Sequence, residues 1–456
     1  MRRTLAFAFG IALVLAPLGG GCGSSRHVAD EATLRARAVT PDSSYLRMLL
    51  QRARALELGK RAGWLRLGHY RSGGFASGYE SDVDGPSFFL SPRGKTDPQA
   101  ELEATLRAFF APVTTADTAG KEEHPICHYP ARLVFLQEAL AIDPRQLTLP
   151  ACKEFVTFVT EANPRSVTLV FSSYYLNNPA SAFGHTFLRL DKAGMIVGQK
   201  RELLDYAIDF SADVDTGNAI IYALNGLFGG FPGTVKRMPH YYKVREYNDF
   251  ESRDMWDYQL ALSAKELYML VAHIWEVGHT YFDYFYVDEN CSYRILALLE
   301  AAKPSLHLVD QVSSPVLPAD TVKTLFENPG LVREVTYRPS ARTQFEHDIE
   351  GLSGEQKTLV EQLADDANAP LPADLPMTAQ VQVLDAAADL VDVRSIKALV
   401  LHEDPVVAEH KRRLLERRAA LRVPSPRPPI TPPWEKAAER GHASKRIGLA
   451  GGFRDP

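Results

Sequence analysis

Cysteine is scarce. The 456 residues hold four, Cys22, Cys127, Cys152 and Cys291, too few for the disulfide lattice that holds small secreted domains together. Long apolar runs are scarce as well, and after the first stretch from Thr4 to Leu18 no segment approaches the roughly 18 apolar residues of a membrane-spanning helix. An excess of one charge is also missing. With 51 basic and 56 acidic residues the net charge is −5, which gives no global attraction to polyanions, and no basic patch marks a nucleic-acid surface. There is no internal repeat. What remains is a globular balance, 45% hydrophobic and 23% charged, in a chain long enough for two to four units at roughly 100 to 200 residues each.

The N-terminus reads as an address. Met1, Arg2 and Arg3 are a short basic start, Thr4 to Leu18 is nearly uncharged, and Gly19, Gly20 and Gly21 stand directly before Cys22. This is the layout of a secretory signal, and its end resembles a bacterial lipobox. It departs from that pattern in one place: Leu18 lies four positions before the cysteine, and Gly19 takes the usual leucine position. The expectation is a lipoprotein-type signal at 1–21, acylation of Cys22, and a tether over 22–44 that holds the protein to a membrane, the outer membrane of the envelope. An ordinary cleaved signal with an incidental cysteine is the alternative. Both readings lead out of the cytoplasm, where disulfides form.

Helical spacing of Leu46, Leu49, Leu50, Ala53 and Leu56 opens the mature chain, and Asp97-Pro98 with Glu101 starts a second helix to about Phe110. Cys127 and Cys152 flank a helical segment and are expected to form a structural disulfide; a metal reading of His124, Cys127 and His128 fits no strong zinc spacing. From Ser166 the character turns to β, with strands expected over Val167–Tyr175, His185–Leu190, Ile196–Arg201 and Leu203–Phe210, in a mainly antiparallel sheet. Gly226 to Gly233 reads as a flexible flap. Strands are expected again at Tyr241–Tyr247 and Asp257–Leu262, then a helix capped by Ser263 with Glu266 in the capping-box position. Helices follow after Asn290, near Ser353–Ala367 and Ala379–Ala388, and around the basic residues Lys411 to Arg418. Val423 to Pro433, more than half proline, reads as an extended tail.

With Cys22 given to lipid and Cys127 to Cys152, Cys291 is left over. It stands in Glu289-Asn290-Cys291-Ser292-Tyr293 at the start of a helical run. A thiol there feels the positive end of the helix dipole, which favours the thiolate. A thiolate nucleophile needs an imidazole to manage protons, and His185 begins a strand after Gly184, with His185, Phe187 and Arg189 on one face and Thr186, Leu188 and Leu190 on the other. The bland alternatives are a buried thiol acting as a small hydrophobe and a histidine that merely packs. For the group that orients the imidazole, Asp205, Tyr206 and Asp209 lie on the next strand, and Asp209 is favoured. Tyr174, Asn178 and Asn290, with the Cys291 backbone N–H, are positioned to meet a substrate or an oxyanion. The aromatic run Tyr281 to Tyr286 is expected to be core and wall beside the cysteine.

The string Asn177-Asn178-Pro179-Ala180-Ser181-Ala182-Phe183-Gly184-His185-Thr186, with Glu289-Asn290-Cys291, resembles the Lnb N-terminal periplasmic domain family of bacterial envelope proteins, over about residues 45 to 345. That family in turn is similar to circularly permuted papain-like and NlpC/P60-like thiol hydrolases, in which the histidine strand precedes the cysteine helix. The resemblance implies an α+β papain-like core with Cys291 as nucleophile and His185 as base. The division expected is an N-terminal helical region with the disulfide at 45–160, the core at 161–304, a C-terminal helical region at 305–422 and the tail at 423–456. The functional expectation is an envelope thiol hydrolase or acyltransferase that needs no cofactor or metal, acting on a peptide or acyl amide or ester. The rival is a non-catalytic periplasmic module that assists maturation or localisation of another secreted protein.

Overall fold

A computed structural model describes residues 43–72, 78–114, 124–174, 183–192, 202–401, 404–425 and 429–442, together with Arg37 and Asp117. Cys22, Asn178 and the strand expected at Ile196–Arg201 lie outside the described residues.

The first layer is helical. Ser43 caps α1 (Ser44–Ala55), and its hydroxyl accepts from the Leu46 N–H at 3.1 Å. Then come α2 (Ala62–Leu67), the hairpin β1 (Tyr70–Ser72) with β2 (Tyr79–Ser81), α3 (Pro98–Phe109) capped by Asp97, and α4 (Pro130–Leu140). The buried Glu101 of α3 and Arg132 of α4 bind at 2.7 Å, and Glu101 also accepts from the backbone N–H groups of Leu90 and Ser91. Cys127 and Cys152 are disulfide-bonded across α4, just before α5 (Lys153–Ala162).

The centre is a seven-stranded sheet in the order β8-β6-β5-β4-β3-β7-β9, every neighbouring pair antiparallel. Its strands are β3 (Pro164–Ser172), β4 (His185–Lys192), β5 (Tyr206–Ala212), β6 (Phe231–Pro239), β7 (Met255–Leu260), β8 (Phe282–Tyr284) and β9 (Val332–Arg338). Helix α6 (Ala219–Phe228) joins β5 to β6, α7 (Ala264–Val277) precedes β8, and α8 (Cys291–Ala302) follows it. The period-two alternation sorts the strands into two faces. Leu169, Leu188, Leu190, Ile208 and Phe210 join the main core with α7 and α8, while Val170, Phe187, Ala207 and Met255 form a smaller cluster with Tyr247 on the other face. The fold class is α+β.

Several elements depart from the sequence expectation. Tyr241–Tyr247 is no strand but a helical turn (His240–Lys243) running into a π-helix (Val244–Phe250). The supposed flap at 226–233 is instead the last turn of α6, which is capped by Asn218 and closed by Gly229 in the left-handed region at φ 74°, followed by the start of β6. The core does not stop at 304, since β9 pairs with β7 along Met255↔Arg338 to Leu260↔Val332. A second apolar core, including Leu359, Leu363, Leu384 and Leu414, holds together α9 (Ala341–Glu350), α10 (Gly354–Asp365), α11 (Met377–Leu401) and α12 (Pro405–Ala420). Residues after the proline-rich segment lie on the sheet, where the Trp434 ring is 5.5 Å from Trp256 and the Tyr258 hydroxyl donates to Glu439 at 2.8 Å.

Candidate active site

The first residue of α8 is Cys291, and its placement is fixed by the residue before it. Asn290 is the N-cap: Oδ1 accepts from the N–H groups of Ser292 (3.1 Å) and Tyr293 (3.3 Å), while Nδ2 donates to the carbonyls of Tyr286 (3.1 Å) and Val316 (2.8 Å). An N-cap of this kind satisfies donors that a helix start otherwise leaves orphaned. One residue on, Ser292 and Thr186 share a hydroxyl hydrogen bond at 2.8 Å, pinning the start of α8 to the start of β4.

Gly184 turns the chain into β4 at φ 95°, where a Cβ would come within 2.7 Å of the Phe171 ring and 2.8 Å of the Ser172 carbonyl oxygen, so only glycine fits. His185 follows. Its Nε2 lies 2.7 Å from Asp209 Oδ1, and the imidazole is the charged neighbour that acts most strongly on the Cys291 thiol. Asp209, on β5, is held from its other side as well, with Oδ2 2.8 Å from Lys243 Nζ. Lys243 in turn bonds Glu246 at 2.9 Å and the Tyr247 hydroxyl at 3.3 Å. The Tyr247 ring, 5.3 Å from that of His185, covers the group from above.

His185, Asp209 and Lys243 thus form one bonded chain, and the electrostatics of the Cys291 thiol are tied to its imidazole end. Burial alone favours the neutral forms. For Cys291 burial pushes the thiol up, but the imidazolium of His185 and the Thr186 backbone N–H outweigh it and bring it below the ordinary thiol range. For His185 burial works downward, and the thiolate and Asp209 overcome it, raising the imidazole to about 10. Burial would raise Asp209, yet Lys243 and His185 hold its carboxyl well below the usual carboxylate range. Both shifts favour thiolate and imidazolium over the neutral pair. The Tyr284 hydroxyl completes the sulfur's surroundings: it accepts from the Cys291 N–H at 3.3 Å, and burial together with the thiolate keeps it protonated.

The other residues singled out from sequence fall elsewhere. Asn290 spends both ends of its amide on the backbone, which makes it a cap and leaves it nothing for a substrate. Tyr174 stands 67% exposed beyond the end of β3. Asp205 faces a polar cavity of about 680 Å³ further along the sheet, next to Arg189, and burial raises its carboxyl to about 6. The Tyr206 ring lies under Lys192 and Arg237. Cys127 is spent in its disulfide, and His124 caps Ile126 while its other nitrogen meets the Ala111 carbonyl, so the metal reading of that segment has no support. Among the described residues no cluster of His, Cys, Asp or Glu could hold a metal ion. Sequence reasoning missed Lys243 and Tyr284. The first sat in a supposed strand, and the second was taken for wall alone.

Residues 154–328 match the family model of the Lnb N-terminal periplasmic domain. The matched segment carries Cys291, His185, Asp209, Lys243 and Tyr284. The match supports a periplasmic location. The resemblance read from the sequence reached further, but residues 56–139 match a separate domain of unknown function (DUF7843) and residues 335–430 another (DUF7842). No curated protein and no solved structure matches the chain.

Proposed function

We propose that this is an envelope thiol hydrolase or acyltransferase. The observation that carries the reading is that Cys291 opens α8 beside the start of β4, where Ser292 bonds Thr186, and that His185 there is held by Asp209 and Asp209 by Lys243. The Cys291 thiolate attacks the carbonyl carbon of an amide or ester. The developing oxyanion is received by the Cys291 backbone N–H and the Tyr284 hydroxyl, which meet at the helix start. As the C–N or C–O bond breaks, the His185 imidazolium gives its proton to the leaving amine or alcohol, and Cys291 is left as a thioester. His185, now neutral, takes a proton from water or from an acceptor amine as it attacks the thioester, and thiolate and imidazolium are restored. The order of histidine strand before cysteine helix agrees with the permuted papain-like and NlpC/P60-like pattern.

Of the two substrate classes that the periplasm offers, peptides and acyl groups, the surroundings favour acyl: exposed apolar side chains gather at this end of the sheet, on α6 and at Phe183. Acylation at Cys22 would hold the protein at the outer membrane, within reach of such substrates.

Cys291 is only 4% exposed, which is the feature that favours the rival, a non-catalytic module serving another secreted protein. A small thiol-directed activity probe separates the two. The catalytic reading expects labelling at Cys291 in the purified protein and strong loss of labelling in His185→Ala. Equal labelling in both proteins, or full biological function in Cys291→Ser, would overturn it.

A further inference from the structure

Helix α6 is built inside out. Its ten residues, Ala219 to Phe228, include no charge. The side that faces the protein is polar or small: Tyr222 packs on Tyr286 and Phe231, Asn225 is half-buried, and buried Gly226 lets the helix lie flat, since a Cβ there would sit 2.0 Å from the Tyr286 ring. The outward side is Ile220, Ile221, Leu224, Leu227 and Phe228, each between 46 and 75% exposed. A surface helix in water turns its apolar stripe the other way.

The helix also stands beside the candidate active site. The Tyr286 N–H donates to the Gly226 carbonyl at 2.8 Å, the Tyr286 and Tyr284 rings lie 5.7 Å apart, and the Tyr284 hydroxyl reaches the Cys291 N–H. Two rings therefore separate α6 from the nucleophile. Phe183 and Tyr174, 62% and 67% exposed, leave the sheet at the same end, because Ser172 pairs with His185.

We propose that α6 docks on a lipid bilayer, with its five outward side chains in the boundary between headgroups and acyl chains and Cys291 held at that surface. The occupant is a bilayer because the outward face has no side chain that donates or accepts a hydrogen bond, whereas a protein interface carries about one such bond per 100 to 200 Å². Charge agrees. The residues leading into α6 include Asp213 and Asp215, and Lys236 is paired with Asp213, so the patch offers no basic attraction to anionic lipid and docking is apolar. The chain before Ser43 allows it: 20 residues lie between Cys22 and Ser43, a reach of roughly 25 Å as a coil and at most about 70 Å extended. This last point rests on the anchor proposed above; the inside-out helix does not.

The test places a tryptophan on α6 by Phe228→Trp and a control on the equally exposed Val406 of α12 by Val406→Trp, in the full chain, with neutral phosphatidylcholine vesicles carrying brominated acyl chains. The proposal expects the brominated lipid to quench most of the emission added at position 228 and little of that added at 406, at low and high salt alike, and expects Leu224→Glu to abolish the quenching. Equal quenching at both positions, or none at 228, would overturn it. So would a blue shift at 228 that grows with protein concentration without vesicles, which would assign the face to a second copy of the chain. Repeating the measurement in Cys291→Ser separates the two proposals, because docking does not require the thiol.

Discussion

Asp209→Asn keeps the outline of the carboxylate and removes its charge, which sets two effects on the thiol against each other. In the native site the carboxylate holds the His185 imidazolium at 2.7 Å, and it also repels the thiolate through space. The first effect acts on Cys291 through its strongest charged neighbour, the imidazolium, while the second is the weakest influence on the sulfur. The indirect effect should therefore win. A hydrogen bond to a charged group contributes about 1.5 to 3 kcal/mol, and one pKa unit corresponds to about 1.4 kcal/mol, so the imidazolium should lose roughly one to two units of affinity for its proton. With the imidazolium held less firmly, the burial of Cys291 is less completely offset and the thiol climbs back toward the ordinary range. The assay is the rate of alkylation of Cys291 by iodoacetamide as a function of pH, which follows the thiolate fraction and needs no substrate. In Asp209→Asn the inflection should move up by about one to two units, slowing alkylation on the acid side by roughly 10- to 100-fold. An inflection that stays in place or moves down, in a variant with a native circular dichroism spectrum, would refute the ordering of the two effects.

The same ion pair sets the pH dependence of folding. Folded His185 titrates near 10 and the unfolded residue near 6.5, so its contribution is complete below 6.5 and is lost as pH rises through 10. Cys291 runs the other way, with a contribution that is present above the unfolded value of 9.0 and lost as pH falls through its lowered folded value. Above about 8 the unfolded thiol gives up its proton while folded His185 keeps its own, so urea melts of the wild type, taken relative to His185→Gln/Cys291→Ser, should lose about 1.4 kcal/mol in all between about pH 8 and 11. A steady slope from pH 7 would show that the folded pair does not keep a single proton across that range. Glu101→Ala leaves Arg132 buried and unpaired among Trp64, Phe88 and Tyr129, and should cost about 3 to 5 kcal/mol in the same melts. Replacing Cys127 and Cys152 together by alanine opens a loop of 25 residues, and loop-closure entropy puts the expected loss at about 3.5 kcal/mol. A loss under about 1 kcal/mol would show that the unfolded chain gains little freedom from the cut.

Much of the site was legible because its two ends carry local signals. Asn before a helical run, and glycine before a strand that opens on histidine, are statements about backbone geometry that hold wherever the rest of the chain goes. The register that sets Asp209 beside His185 was legible only as a choice among neighbours on one strand, since sequence alone did not distinguish it from Asp205. The structure shows what separates them: Asp205 lies at the far end of the β4–β5 pairing, where Leu190 meets Tyr206, while Asp209 lies at the near end. Helix α6 had a readable signature in Asn218 at its N-cap and Gly229 at its close. Its glycines and lack of charge masked that signature, and the same lack of charge is what makes the helix unusual.

Lys243 was hidden for a different reason. The aromatic and β-branched run around it favours a strand, and in a strand Lys243 and Tyr247 would share a face about 13 Å apart. The site needs them close, one on the carboxylate and the other over the imidazole ring. Helical spacing brings residues four apart to within about 5 to 6 Å on one face, and the turn into a π-helix supplies it: Lys243 Nζ lies 3.3 Å from the Tyr247 hydroxyl and 2.8 Å from Asp209 Oδ2. Local propensity is overridden because a buried carboxylate between an imidazolium and an ammonium is stable only if both cations arrive. Two residues at helical spacing on the segment above the sheet deliver the ammonium together with the ring that seals the site.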